Sequence, residues 1–171
     1  MNTKQLFLSF LIFLLPAAVF AMAPALSLKD LNGSERPLGQ YIGQGKWTVL
    51  VIWADDCEVC NAEIETFDFF HEEHKDRDAQ ILGVSVDGWD KIKLARGFVK
   101  RHDLSFPNLV IEPDMNEILK LGGGNFVGTP TVYIYTPEGE IVASQAGAVR
   151  STSLRISSIT GKRNNYSLWK R

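Results

Sequence analysis

The stretch "WTVLVIWADDCEVCNAEIETF", residues 47–67, joins an apolar run to the beginning of an amphipathic helix pattern. Its first part, residues 47–54, is almost continuously apolar and rich in β-branched side chains, which predicts a central strand buried on both faces. From Cys57 onward, apolar residues recur at helical spacing, which predicts a helix. Both cysteines of the chain, Cys57 and Cys60, therefore lie where a buried strand passes into a helix. We expect the buried side of this helix to carry Val59, Ile64, Phe67 and Phe70.

Strands and helices alternate along the rest of the chain. A turn at Asn32-Gly33 predicts a short hairpin before the central strand, and a turn around Glu138 predicts a closing hairpin over residues 129–147. This alternation predicts an α/β fold in which helices cover both faces of a mixed sheet and the closing hairpin supplies antiparallel edge strands. Between the hairpins we expect a strand (79–87), a helix (89–103), a short strand or extended connection (106–113) and a short helix (115–123).

Both ends of the chain differ from its middle. Residues 1–23 combine Lys4, an apolar run and small residues ending in "AMA", which is the layout of a secretory signal peptide. An uncleaved membrane anchor is the alternative interpretation. Residues 150–171 carry six basic and no acidic residues, which predicts a basic C-terminal helix or tail. The predicted domain is thus 24–149, in a periplasmic or otherwise exported protein, and export places the cysteines in an oxidising compartment.

The composition excludes some functions. The chain is 45% hydrophobic and its formal net charge is −2 at pH 7. It has no basic footprint for nucleic acid, so we expect no binding to DNA or RNA. The length suits one domain with a hydrophobic core large enough to fold without disulfide or metal cross-links. We expect a monomer.

Three interpretations of the cysteine pair differ in how well the sequence supports them. A structural zinc site needs four ligands, and His71 and His74 lie roughly 16 Å from the cysteines along the same helix, within a polar stretch expected to be solvated. A purely structural disulfide that closes so small a loop would stabilise the fold by only ~2 kcal/mol, before the strain in the loop is subtracted. The junction of strand and helix favours a redox pair, because unpaired N–H groups at a helix start lower the pKa of a thiol there.

The same junction divides the roles of the cysteines. Cys57 opens the helix and is the expected nucleophile, whereas Cys60 lies nearly one turn on, more enclosed, and is expected to resolve the mixed disulfide. Glu63 follows one further turn along the same side. It is either an enclosed carboxyl that exchanges a proton with Cys60 or a solvated glutamate favoured by the helix dipole, and spacing alone leaves both open.

The segments "VLVIWADDCEVCNAEI" and "FVGTPTVYIYTPEGEIVASQAG" make the chain resemble thioredoxin-fold proteins, most of all the exported TlpA/ResA group of thiol-disulfide oxidoreductases, over about residues 26–147. The resemblance implies a thioredoxin fold, which the hairpin predicted at Asn32-Gly33 extends at its N-terminus. It implies that Thr129-Pro130 is a cis-proline step that docks the substrate backbone, and that Glu63 handles a proton. We also assign Trp53, which matches the family's "WA" before the motif, to substrate binding together with Thr129 and Pro130. No cofactor is implied. The implied partners are a protein disulfide and a membrane or exported electron donor.

Departures from the family pattern leave a rival interpretation. Asp56 stands where the family has tryptophan, Val59 precedes Cys60 where a proline is missing, and Glu65 stands where a proline is common. Val51 stands where thioredoxin has a buried aspartate. A binding or assembly module with a purely structural disulfide is therefore the alternative, and a thiol peroxidase is a weaker third. Negative charge at Asp55, Asp56 and Glu58 disfavours the Cys57 thiolate, so we expect a reducing couple and basic or neutral partners.

Overall fold

The computed structural model describes residues 26–148, which form one seven-stranded sheet with helices on both faces. The predicted signal peptide (1–23) and basic tail (150–171) lie outside these residues. The strands are β1 (Ser27–Asp30), β2 (Glu35–Pro37), β3 (Trp47–Trp53), β4 (Ala79–Ser85), β5 (Asn108–Val110), β6 (Thr131–Tyr135) and β7 (Ile141–Ala146). The helices are α1 (Glu58–His74), α2 (Ile92–Arg101) and α3 (Met115–Lys120), with short 3-10 helices at Leu38–Gln40 and Trp89–Lys91.

The sheet is mixed, with strand order β2-β1-β5-β4-β3-β6-β7. Strand β3 pairs in parallel with β4 on one side and antiparallel with β6 on the other. The prediction that both strands of the closing hairpin are edge strands is wrong for β6, which lies between β3 and β7. Every residue of β6 is buried, as expected of a strand with neighbours on both sides and cover on both faces. Of the two hairpin strands, β7 alone lies at an edge of the sheet.

Two hydrophobic cores lie on opposite faces of the sheet. Side chains of β3 alternate between them, because successive residues of a strand point to opposite faces. Val49, Val51 and Trp53 join the core that α1 and α2 cover. Leu50 and Ile52 join the core beneath α3 and the first 3-10 helix. The predicted burial of β3 on both faces, and the predicted helices on both faces, are confirmed.

The N-terminal hairpin extends this sheet. Strands β1 and β2 pair antiparallel around the predicted turn, where Gly33 has φ 92°. Strand β1 also pairs antiparallel with β5, so the hairpin continues the sheet beyond the central strands. Within residues 26–148, no helix is long and apolar enough to cross a membrane.

Helix α1 departs from the sequence pattern at two positions. The sequence predicts Val59 on the buried side, but it is 38% exposed, because the buried face of the helix runs through Cys60, Ile64 and Phe67 at helical spacing and Val59 lies beside that face. His71 was expected in a solvated helix end but is buried. Its Nδ1 atom accepts a hydrogen bond from the backbone N–H of Ile81 at 3.1 Å, which gives that polar group a partner inside the fold.

Candidate active site

The two cysteines form a disulfide at the beginning of α1, with an S–S distance of 2.18 Å. Cys57 is the N-cap residue of the helix and is partly exposed. Cys60, in the first turn, is only 2% exposed and belongs to the core that α1 and α2 cover. The expected difference in burial is confirmed: Cys57 is partly exposed, and Cys60 is enclosed.

The local backbone places a donor on the sulfur of Cys57. The N–H of Cys60 points at Cys57 Sγ, with a distance of 3.1 Å between nitrogen and sulfur. In the reduced protein, the same donor and the positive end of the helix dipole would stabilise a negative charge on Cys57. This arrangement favours Cys57 as the thiolate.

Thr129-Pro130 lies at the same end of the sheet as the disulfide. The register pairs Ile52 with Thr131, so the residues just before β6 adjoin the end of β3, from which the chain continues to Cys57. The Thr129-Pro130 peptide bond is cis, as the resemblance implies. The carbonyl of Pro130 accepts a hydrogen bond from Gly147, whereas neither backbone polar group of Thr129 bonds to another of the described residues.

Glu63 lies three residues beyond Cys60 on α1 and is partly buried. Val51, at the position where the resemblance places the buried aspartate of thioredoxin, is apolar and 1% exposed. On the helix, Glu63 is the carboxyl nearly one turn after the buried Cys60. Its part in proton transfer remains a prediction.

Trp53 does not form part of a substrate surface. Its side chain is completely buried, its indole N–H donates to Asn108 Oδ1 at 3.1 Å, and its ring stacks on Phe98 with centroids 4.1 Å apart. The assignment of Trp53 to substrate binding is therefore wrong, because a side chain without exposed surface cannot contact a bound strand. Trp53 instead supports the end of β3 from within the core.

Asp55 also differs from its expected role. The sequence predicts an unpaired negative charge here, beside Cys57. In the structure, Oδ1 of Asp55 lies 2.8 Å from Nη2 of Arg101, at the end of α2. This ion pair leaves Asp56 and Glu58 as the exposed carboxylates of the motif. Sequence reasoning missed Arg101 because it lies 46 residues from Asp55 and belongs to a helix with no recognisable motif.

These features place the chain in a class: a thioredoxin fold with a Cys-x-x-Cys pair at a helix start and a cis-proline before the neighbouring strand, as in thiol-disulfide oxidoreductases. The AhpC/TSA family model matches residues 19–144, and the chain belongs to that family. Thioredoxin-like protein YneN of Bacillus subtilis is 30% identical over 128 residues, which cover 74% of this chain and 71% of YneN.

Two further relatives carry names of enzymes. Thiol-disulfide oxidoreductase ResA of Oceanobacillus iheyensis is 31% identical over 110 residues, covering 62% of this chain and 52% of that protein. Alkyl hydroperoxide reductase C of Mycobacterium tuberculosis is 34% identical over 112 residues, covering 61% of this chain and 56% of that protein. This chain thus spans about half the length of these two relatives.

A solved structure shows the same fold. The thiol:disulfide interchange protein of Chlorobium tepidum superposes with a TM-score of 0.67, at 19% identity, over 80% of this chain and 93% of its own. The predicted thioredoxin fold is thereby confirmed, and the relatives named ResA agree with the expected group of thiol-disulfide oxidoreductases.

Proposed function

We propose that the protein is an exported oxidoreductase that reduces disulfides in other proteins through Cys57 and Cys60. The observation that carries the proposal is the asymmetry of the pair. Cys57 is partly exposed and accepts an N–H hydrogen bond at a helix start, while Cys60 is buried one turn behind it. A nucleophile needs access and a stabilised thiolate, and a resolving thiol needs only to reach its neighbour.

The reaction has two exchange steps. The reduced Cys57 thiolate attacks one sulfur of the substrate disulfide, forms a mixed disulfide and releases the other substrate sulfur as a thiolate. Cys60 then loses its proton and attacks Cys57 Sγ, which forms the Cys57–Cys60 disulfide and releases the second substrate thiol. The substrate gains two electrons and two protons, and a membrane or exported dithiol donor returns the protein to its reduced form.

Two further residues have roles in this scheme. Glu63, one turn after Cys60, takes the proton when the Cys60 thiol becomes the attacking thiolate. The backbone of Thr129 pairs with the substrate strand beside the disulfide. The absence of hydrogen bonds from that backbone to other described residues supports this role.

Direction and location rest on charge and on the N-terminal pattern. Asp56 and Glu58 are exposed carboxylates within one residue of Cys57, and they oppose the stabilisation of its thiolate. A less stabilised thiolate makes a less oxidising couple, which favours the reducing direction. The signal-peptide pattern in residues 1–23 supports export.

Insulin reduction with dithiothreitol as donor tests the proposal. We expect Cys57→Ser to abolish turnover and Cys60→Ser to accumulate mixed disulfides that survive alkylation. A matched control is Asp68→Asn, which changes a carboxylate of α1 that bonds to Ser105 rather than to the motif. A Cys57→Ser protein with full activity would refute the assignment of the nucleophile. A wild-type protein that neither turns over nor exchanges its disulfide would instead support the binding or assembly module.

The similarity to alkyl hydroperoxide reductase C supports a second candidate, thiol peroxidase activity. In that reaction the Cys57 thiolate attacks a peroxide oxygen, becomes a sulfenic acid and releases an alcohol or water. Cys60 then condenses with it to a disulfide and releases water. Peroxide consumption by the reduced protein distinguishes the two, and a rate far above that of free dithiol together with no insulin reduction would favour the peroxidase.

A further inference from the structure

Every polar group of Asp55 is held by a different part of the fold. Its backbone N–H donates to the carboxylate of Asp87, which follows β4, at 3.2 and 3.3 Å to the two oxygens. Its carbonyl accepts from Nδ2 of Asn61 on α1 at 2.9 Å, and its carboxylate accepts from Nη2 of Arg101 on α2 at 2.8 Å. Asp55 is thus a fixed point in the short loop that ends at Cys57.

Asn61 extends this bonding to the nucleophile. Its Nδ2 also donates to the carbonyl of Cys57 at 3.0 Å, and its Oδ1 lies 3.4 Å from Nη2 of Arg101 and 3.0 Å from Nε2 of His102. The side-chain amide of Asn61 therefore joins Asp55, Cys57 and the end of α2. Arg101 contacts both acceptors, Asp55 and Asn61, and is the cation of this group.

We propose that the Asp55–Arg101 ion pair is a positioning pair that sets the reactivity of Cys57 through the balance of its two charges, in a loop that Asn61 bonds to the cysteine. This inference rests on the proposed function, in which Cys57 is the nucleophile. Neither Asp55 nor Arg101 takes part in the exchange itself. The pair cancels a negative charge two residues from the sulfur and holds the loop in one conformation.

Several charged groups lie around Cys57 besides this pair. Asp56, Glu58 and Glu63 lie on the loop and on α1, Asp87 adjoins the loop from the end of β4, and Arg101 and His102 face it from α2. Within residues 26–148, Arg101 is a permanently charged cation that bonds directly to the loop before Cys57. Its removal leaves Asp55 uncompensated, whereas neutralising Asp55 leaves Arg101 uncompensated.

The test measures the alkylation rate of Cys57 against pH in the reduced, full-length protein, with the modified residue identified by mass spectrometry. Arg101→Met should slow alkylation at neutral pH and move its midpoint to higher pH, because the thiolate loses a nearby cation. Asp55→Asn, which keeps the shape of the side chain, should do the opposite. The double variant should return close to the wild type.

Opposite signs separate an electrostatic role from mere loss of structure, since a disordered loop would move both single variants in the same direction. Arg96→Met is the matched control, because Arg96 also lies on α2 but donates to the carbonyl of Leu31. It should leave the midpoint unchanged. If a variant fails to fold, Arg101→Lys keeps the charge and should retain a midpoint near that of the wild type.

Shifts of the same sign in both single variants, or no shift in either, would overturn the inference. Because alkylation needs no protein substrate, this result is independent of whether the protein reduces insulin. If the two single variants shift the midpoint in opposite directions but the wild-type protein does not reduce insulin, the proposed function is refuted and the role of the ion pair is supported.

Discussion

The Nδ1 atom of the buried His71 accepts a hydrogen bond from the backbone N–H of Ile81, at 3.1 Å between the two nitrogens. Ile81 lies in β4, two residues before the strand begins to pair with β5 at Gly83. The histidine therefore supplies an acceptor where the short strand β5 supplies none. This contact joins α1 to the sheet by a specific bond in addition to apolar packing.

His71→Phe should destabilise the fold. Phenylalanine fills much of the same space but cannot accept the Ile81 N–H, and an unsatisfied buried donor costs about 1–3 kcal/mol. Urea denaturation near neutral pH measures the change in the free energy of unfolding. His74→Phe on the same helix is the control and should cost less, since His74 contacts the exposed Asp78 instead of a strand. Equal losses in both variants would contradict the role assigned to His71.

The same histidine should make stability depend on pH. Burial lowers the pKa of His71 below its ordinary value of about 6.5. The unfolded chain therefore binds more protons than the folded one between the two pKa values, so stability falls as the pH drops through about 6.5 towards the lowered value. His71→Gln keeps an acceptor that does not titrate. We expect the free energy of unfolding to fall less in this variant than in the wild type between about pH 7.5 and pH 5.5, and an equal fall would count against the prediction.

Trp53→Phe tests whether Trp53 is a core residue or a substrate contact. The change removes the indole N–H that Asn108 Oδ1 accepts and leaves that oxygen buried without its donor, at a cost of about 1–3 kcal/mol. Thermal or urea unfolding should show this loss, whereas KM for insulin and the alkylation rate of Cys57 should remain near wild-type values. A raised KM with unchanged stability would restore Trp53 to the substrate site.

How far the sequence predicted the site depends on the range of the interactions. The strand–helix junction at Cys57 and the burial of Cys60 follow from local patterns of about twenty residues, and they were predicted. The partners Arg101 and Asp55 are distant in sequence, and neither periodicity nor a motif marks them as a pair. His71 lies in the polar run "HEEHKDRD", which gives no sign that one histidine is buried. That becomes evident only from the sheet, in which the backbone N–H of Ile81 has no strand partner and donates to His71.

The glycine run after α3 offers a test of close packing. A Cβ atom added to Gly122 would lie 2.0 Å from the ring of Tyr133, which is itself completely buried. Gly122→Ala should therefore destabilise the protein by about 1–3 kcal/mol through overpacking. Gly39→Ala is the control, because a Cβ there meets nothing within 4 Å, and its effect should be within about 0.5 kcal/mol. A loss at Gly122 as small as the one expected at Gly39 would show that the packing around Tyr133 tolerates the added methyl group.

The exposed carboxylates of Asp56 and Glu58 should make the protein prefer partners of positive charge. With Asp55 paired to Arg101, Asp56 and Glu58 supply the exposed negative charge next to Cys57. Disulfide-linked peptides with basic flanks should therefore be reduced faster than otherwise identical peptides with acidic flanks, and the difference should shrink as salt reduces the Debye length to about 8 Å at physiological ionic strength. The double variant Asp56→Asn/Glu58→Gln should remove most of this preference, chiefly by lowering the rate with the basic peptide.

Glu73→Gln provides the matched control for this charge effect. Glu73 lies on the same helix as Glu58 but about 22 Å farther along at 1.5 Å per residue. At that distance its charge is screened from the disulfide, so the variant should keep the preference of the wild type. The double variant should also change the stability of the Cys57 thiolate, and such a change affects the rates with both peptides alike. The quantity to compare is therefore the ratio of the rate with the basic peptide to the rate with the acidic peptide. A ratio that stays the same in the double variant would show that Asp56 and Glu58 tune the cysteine without selecting the partner.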